Sequence, residues 1–321
     1  MFAVYASAPN PDDPLAALTL GDRPDVAAPD GWVSVQVKAA SLNGHDLFTL
    51  RGIGIREEAF PMILGCDGAG VLDDGSEVVL HGVIPSDGWM GDETLDPKRS
   101  LLSERHQGTF AERVIVPERN VVAKPAELSF SEAACLGVAW LTAYRGLFVK
   151  SGLRPGQTML VQGASGGVAT ALIALGHAAG MRVWVTGRTE EKRALALEQG
   201  ADAAFDPGAR LPERVDGVFE TVGRATWSHS VKSLKPGGVI VISGATTGDA
   251  SPAELQRIFF LQLRVVGSTM GTRDELLDLL SFCVQKDIHP LVGMELPLAS
   301  AEAGFRAMMD GETAGKIVFT Q

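Results

Sequence analysis

The residues Met159-Leu160-Val161-Gln162-Gly163-Ala164-Ser165-Gly166-Gly167-Val168-Ala169 decide the fold. A short apolar run leads into glycines and then into Val168–Ala179, a stretch of small and apolar residues long enough for a helix. Where a phosphate approaches the backbone between a strand and a helix, glycines are needed, because a Cβ would block the amides at the helix N-terminus. A glycine cluster alone marks a tight turn equally well. Order selects the nucleotide reading: Arg182-Val183-Trp184-Val185-Thr186 follows as a second strand, as the phosphate loop of a βαβ unit requires.

Downstream, the pattern predicts a helix over Glu190–Gln199, strands at Gly217–Glu220 and Val239–Ile242, and helices at Thr226–Ser233 and Ala253–Gln262. Strands alternating with helices give an α/β, doubly wound parallel sheet of the Rossmann kind. Helices at Arg273–Lys286 and Ser300–Met308 and a strand at Lys316–Phe319 close the chain, a stretch too short to stand alone. Upstream, Val33–Lys38 alternates apolar and polar residues, and glycines and prolines punctuate the sequence as far as Val122, as in an irregular β-rich domain.

With 321 residues the chain is too long for one ordinary core. A hydrophobic fraction of 45% with 21% charged residues fits a globular enzyme. The formal net charge of -11 repels phosphate backbones and argues against nucleic-acid partners. Three scattered cysteines, Cys66, Cys135 and Cys283, make no disulfide framework, which points to a reducing compartment. Residues 1–14 lack the basic start and apolar run of a signal peptide, and the longest apolar stretch, Val168–Met181, is interrupted by Gly176 and His177. The expectation is a cytoplasmic protein with a small-molecule substrate and no membrane partner.

Cofactor choice turns on the end of the second strand. An Asp or Glu there binds the ribose hydroxyls of NAD, whereas a 2′-phosphate favours an Arg and no carboxylate. The sequence reads Thr186-Gly187-Arg188-Thr189-Glu190-Glu191-Lys192, with Gly187 where the acid would stand. Arg188 and Lys192 are either solvated charges or the cationic partners of a phosphate, and together with the missing acid they favour NADP(H).

The segments Ser41-Leu42-Asn43-Gly44-His45-Asp46-Leu47, Leu64-Gly65-Cys66-Asp67-Gly68-Ala69-Gly70, Gly163–Ala169 and Gly315-Lys316-Ile317-Val318 stand in the order of the medium-chain dehydrogenase/reductase superfamily. The chain resembles the quinone-oxidoreductase branch of that superfamily along nearly its whole length. The resemblance implies a GroES-like, β-rich catalytic domain over residues 1–123, completed by 270–321, and a Rossmann domain over 124–269. At the three positions where zinc-dependent members carry catalytic ligands, the chain has Asn43, Cys66 and Val138, and its stretch Trp89–Gly108 lacks the four cysteines of the structural-zinc lobe. One thiol beside an amide and an isopropyl group is not a zinc donor set, so no metal is expected.

Without zinc, a substrate carbonyl is polarised by hydrogen bonds or a proton donor. Asn43 is a candidate amide donor, or else satisfies a turn; His45 aligns near the proton-relay residue of alcohol dehydrogenases, or else sits on an exposed helix face. Asp46 reads as a cap or tether, and Cys66 as a small buried thiol rather than a nucleophile. The resemblance assigns Ser165, Gly166, Gly167 and Val168 to the pyrophosphate and Gly187, Arg188 and Lys192 to the adenosine end. It assigns Ser243, Gly244, Ala245, Ser268, Thr269 and Met270 to the nicotinamide end, and adds Thr142 and Lys316 as further cofactor contacts. Met270, Phe48 and Trp89 either line the substrate cleft or belong to the core. The expected activity is zinc-independent hydride transfer from NADPH to a quinone, enone or aldehyde, with the oxyanion held by Asn43 or water. Alternatives are an enoyl-thioester reductase and a non-catalytic nucleotide-binding protein. A homodimer is expected through the last strand of the sheet, Leu263–Gly267.

Overall fold

The computed structural model describes residues 1–249 and 252–321. They divide into two compact units, one made of Met1–Leu141 with Gly271–Gln321, the other of Thr142–Met270.

The Thr142–Met270 unit is a six-stranded sheet in the order Ala203–Phe205, Arg182–Thr186, Thr158–Gln162, Val215–Glu220, Leu234–Ile242, Arg264–Gly267. Every neighbouring pair is parallel. Strands such as Met159-Leu160-Val161 are buried on both faces, which is why they read as unbroken apolar runs rather than alternating ones. Leu160, Trp184, Val218 and Ile240 pack with Trp227 and Val231 of the helix Trp227–Ser233. The helix Gly167–Ala178 lies so near the sheet that a Cβ on Gly176 would meet Met159 Sδ at 2.8 Å and Val183 Cγ2 at 3.0 Å. Strand order reverses between Thr158–Gln162 and Val215–Glu220, and ligands of open α/β sheets bind beyond the carboxyl ends at such a point. Three-residue Ala203–Phe205 escapes the sequence reading, because so short a run has no measurable period.

The other unit carries a seven-stranded sheet, ordered Val121–Ala123, Glu77–Leu80, Gly68–Leu72, Trp32–Ser41, Lys316–Thr320, Val292–Pro297, with Arg113–Pro117 also on Trp32–Ser41. The strand near the C-terminus thus fills the middle of a sheet begun near the N-terminus. Phe110, Phe305 and Phe319 meet at its core, Phe110 edge-on to Phe319 with centroids 5.0 Å apart. This unit continues past the expected boundary at residue 123 to Leu141. The reason is the helix Phe130–Ala134, capped by Ser129, which packs on Trp32–Ser41, Gly68–Leu72 and Lys316–Thr320. Among the described residues no helix is long and apolar enough to cross a membrane.

Candidate functional site

The first polar cluster follows from strand register. Val318 pairs with Ser41 in antiparallel sense, so two residues on, Lys316 stands opposite Asn43. Lys316 is buried, and its Nζ donates to Leu42 O at 2.8 Å and Asn43 Oδ1 at 2.6 Å. This fixes the amide: its oxygen accepts from the ammonium, so Nδ2 donates, to Ser41 O at 3.1 Å and Asp67 Oδ1 at 3.1 Å, with Cys66 Sγ at 3.8 Å. Ser41 Oγ donates to the same Asp67 oxygen at 2.7 Å. Two residues expected at the site, Asn43 and Lys316, meet in this network. Both Nδ2 hydrogens of Asn43 already point at protein acceptors, so Asn43 joins a buried network and is no free oxyanion donor. Lys316 gives two of its three ammonium hydrogens to the same network.

Asp46 tethers its loop as expected. Its Oδ2 accepts the Asn43 amide at 2.9 Å and its Oδ1 the Gly65 amide at 2.8 Å. Gly65 has φ +92, and a Cβ there would lie 2.4 Å from Thr109 Oγ1, so only glycine brings that amide in. His45, on the helix Gly44–Leu50, is half-buried, with Nε2 3.1 Å from Glu104 Oε1. Burial pushes the Glu104 carboxyl up, but hydrogen bonds from His45 and the Leu101 amide hold it below its usual value. Nε2 is therefore the protonated nitrogen facing a carboxylate, and Nδ1 faces Ser103 Oγ at a long 3.5 Å. Glu104 was not visible as a site residue in the sequence: it lies 59 positions from His45 in a loop without periodicity.

Burial dominates the acid groups of this cluster. It pushes the Asp67 carboxyl up to about 6, against the pull of Lys316, Ser41 and Asn43. It also pushes the Cys66 thiol up, with Asp46 and Asp67 adding to the effect. His45, Asp46 and Cys66 hold possible ligand atoms within 4.8 Å of one another. In this structure these groups already carry bonds within the protein. Both Asp46 oxygens accept backbone amides, and the neighbouring Asn43 side-chain amide is bonded to an ammonium. The stretch Trp89–Gly108 is organised by carboxylates. Asp92 Oδ1 accepts from Thr94 N and Oγ1, and Asp96 binds the amides of Ser86 and Lys98. All three cysteines are free and buried.

The second cluster lies in the Thr142–Met270 unit, beyond the carboxyl ends of its strands. Gly163 has φ +107, and a Cβ on Gly163 or Gly166 would enter open space. No side chain caps the helix that Gly166 begins, so Ser165, Gly166, Gly167 and Val168 surround open amides at a 12-residue helix N-terminus. That cradle fits a pyrophosphate. Gly187 is glycine for packing reasons too, since a Cβ would lie 2.8 Å from Arg193 Cγ and 3.1 Å from Ala164 Cβ. Arg193 donates to Gly187 O at 2.8 Å and pairs with Asp206. Arg188 is exposed and has no partner among the described residues, while Lys192 gives its amide to the N-cap Thr189. At the other end of the sheet, Ser243, Gly244 and Ala245 follow Leu234–Ile242, and Ser268, Thr269 and Met270 follow Arg264–Gly267. Ser268 Oγ is shielded and unpartnered, and Met270 is left-handed at φ +50. Thr142 is buried in the short helix Leu141–Tyr144.

A β-rich unit carrying the polar cluster and a Rossmann unit carrying an open phosphate cradle define a nucleotide-dependent oxidoreductase architecture. The family described as alcohol dehydrogenase GroES-like domain matches residues 29–126, and that described as zinc-binding dehydrogenase matches residues 167–285. The chain belongs to the medium-chain dehydrogenase/reductase superfamily. It is 28% identical to the acryloyl-coenzyme A reductase of Sulfurisphaera tokodaii, over 95% of this chain and 97% of that protein. It is 26% identical to the quinone oxidoreductase of Homo sapiens, over 92% of each. A solved NAD-dependent alcohol dehydrogenase superposes with a TM-score of 0.93 at 31% identity, covering all of both chains.

Proposed function

We propose that the protein is a zinc-independent, NADP(H)-dependent reductase of quinones, enones or aldehydes. The zinc-free part is supported by the Lys316–Asn43 hydrogen bond, which ties to an ammonium the amide at a position that the family resemblance makes a zinc ligand in zinc-dependent members. The NADP(H) part rests on the pairing of an acid-free Gly187 with an unpartnered Arg188. A bound nicotinamide supplies hydride to an electrophilic carbon. The open amides of Ser165–Val168 orient the pyrophosphate, and Arg188 meets the 2′-phosphate. The proton that balances hydride addition comes by way of His45, whose Nδ1 is the exchangeable nitrogen while Glu104 holds Nε2. A reducing, cytoplasmic setting agrees with three unpaired buried cysteines. Similarity to an acryloyl-coenzyme A reductase supports a second reading, an enoyl thioester as acceptor.

The test is NADPH oxidation with quinone, enone, aldehyde and enoyl-thioester acceptors in the presence of a chelator. Turnover of at least one acceptor, and its loss in His45→Gln without loss of NADPH affinity, is expected. A protein that NADPH stabilises against melting but that reduces none of these is a binder, not a reductase.

A further inference from the structure

Beneath the phosphate loop runs a line of buried polar side chains that neither the family match nor the activity explains. The Gly163 amide donates to Thr186 Oγ1 at 3.2 Å. Thr186 Oγ1 donates to Gln162 Oε1 at 2.8 Å, and Gln162 Nε2 donates to Ser230 Oγ at 2.9 Å. Ser230 Oγ then donates to Glu220 Oε2 at 2.6 Å. The second Gln162 hydrogen goes to His229 Nδ1 at 2.9 Å, while His229 Nε2 donates to Ala209 O at 2.9 Å. Gln162, Thr186, Ser230 and Glu220 are all at least 98% buried.

Each hydroxyl and amide in this line has its direction set by its neighbours. The Glu220 carboxylate is fixed by the amides of Val222 and Gly223 and the hydroxyl of Thr226, so it only accepts. Ser230 must therefore donate to it, which leaves the Ser230 oxygen to accept from Gln162. Gln162 then presents its oxygen to Thr186, and Thr186 presents its own to Gly163. All the donors point the same way, from the glycine loop to the carboxylate, and aligned dipoles in a low-dielectric interior reinforce one another. The line also crosses three strands, since Gln162, Thr186 and Glu220 end Thr158–Gln162, Arg182–Thr186 and Val215–Glu220.

We propose that this line is a positioning device for the cofactor loop. Glu220, acting through Ser230, Gln162 and Thr186, turns the Gly163 amide inward and holds Gly163 at φ +107, so that the following residues present their amides outward to a pyrophosphate. Gln162 and Glu220 touch no cofactor; they set the loop that does. The inference rests on the reading of Gly163–Val168 as a dinucleotide cradle.

The test compares Thr186→Val, Thr186→Ser, Ser230→Ala and the double variant Thr186→Val/Ser230→Ala by fluorescence titration with NADPH and NADH, with melting temperatures measured on the cofactor-free proteins. Thr186→Val is isosteric and cuts the line at the loop, and it is expected to weaken the preferred dinucleotide about tenfold, the shift equivalent to one hydrogen bond. Thr186→Ser keeps the hydroxyl and is expected to bind like the wild type. A position that served strand packing alone would rank the two the other way, because valine suits a buried strand better than serine. The double variant is expected to lose no more than about twofold beyond either single, since one cut line cannot be cut again. A wild type that binds while Thr186→Val binds equally well, or losses that multiply in the double variant, would overturn the positioning role alone. A wild type that binds neither dinucleotide would overturn the cradle reading and the positioning role with it.

Discussion

Lys316 Nζ lies 2.6 Å from Asn43 Oδ1, a contact between residues 273 positions apart that the Val318–Ser41 register imposes. Replacing Lys316 with Met keeps the aliphatic stem and leaves Asn43 Oδ1 and Leu42 O as buried acceptors without a donor. The expected loss is about 1.5–3 kcal/mol of unfolding free energy, the range for a charge-assisted hydrogen bond. Urea denaturation of wild type and variant measures it, and an unchanged midpoint would show that the buried ammonium contributes nothing.

The same network predicts metal content. The purified protein is expected to carry no stoichiometric zinc and to keep its activity and melting temperature in a chelator. Elemental analysis giving about one zinc per chain, removed only with loss of turnover, contradicts this.

Arg188→Ala is expected to weaken NADPH binding roughly ten- to hundredfold, the equivalent of about 1.5–3 kcal/mol for a guanidinium–phosphate contact, and to leave NADH nearly unchanged. Parallel titrations decide the point. Equal losses for both dinucleotides, or a wild type that prefers NADH, would remove the 2′-phosphate from Arg188.

Asp67 predicts a pH dependence. Burial raises its folded pKa to about 6 from 3.8, so between those values the native state holds more protons than the unfolded chain. Stability from this group therefore falls as pH rises from about 4 to 6 and is flat above, by up to roughly 3 kcal/mol for a shift of about two units. Asp67→Asn retains an oxygen for Ser41 and Asn43 but does not titrate. The wild-type minus Asp67→Asn difference in unfolding free energy should therefore slope across pH 4–6, and a level difference would refute the raised pKa.

Arg264–Gly267 ends its sheet, and Leu255, Phe259, Phe260 and Val265 are exposed on and beside it, Phe260 at 80%. An unpaired edge flanked by apolar side chains is expected to be covered by a second copy of the chain. Light scattering should give a dimer at micromolar concentration, and Val265→Lys should shift it toward monomer. A monomeric wild type rules this interface out.

The Rossmann sheet was legible because its strands are buried on both faces and its glycines have local causes, as at Gly163 and Gly176. The Asn43 cluster was legible only as a set of residue types. Which way the amide pointed depended on Lys316, far away in sequence, and the pairing of His45 with Glu104 depended on a loop. Gln162 and Thr186 did leave a trace, as polar residues closing apolar strands, but a strand end is where polar residues ordinarily stand. The hydrogen bonds through Ser230 and Glu220 are what separate an ordinary terminus from a connected line.

The middle-strand position of Lys316–Thr320 has a consequence for how the chain is made. While a ribosome adds residues at about 5–20 per second, the strand Trp32–Ser41 emerges roughly 15–55 s before its neighbour exists. The Thr142–Met270 unit, whose contacts are drawn from its own continuous stretch, is complete only roughly 2–9 s before that neighbour arrives. The nascent chain therefore spends most of its synthesis with an open β edge, joined only near the end by a finished nucleotide-binding body, and that edge is what a chaperone would meet.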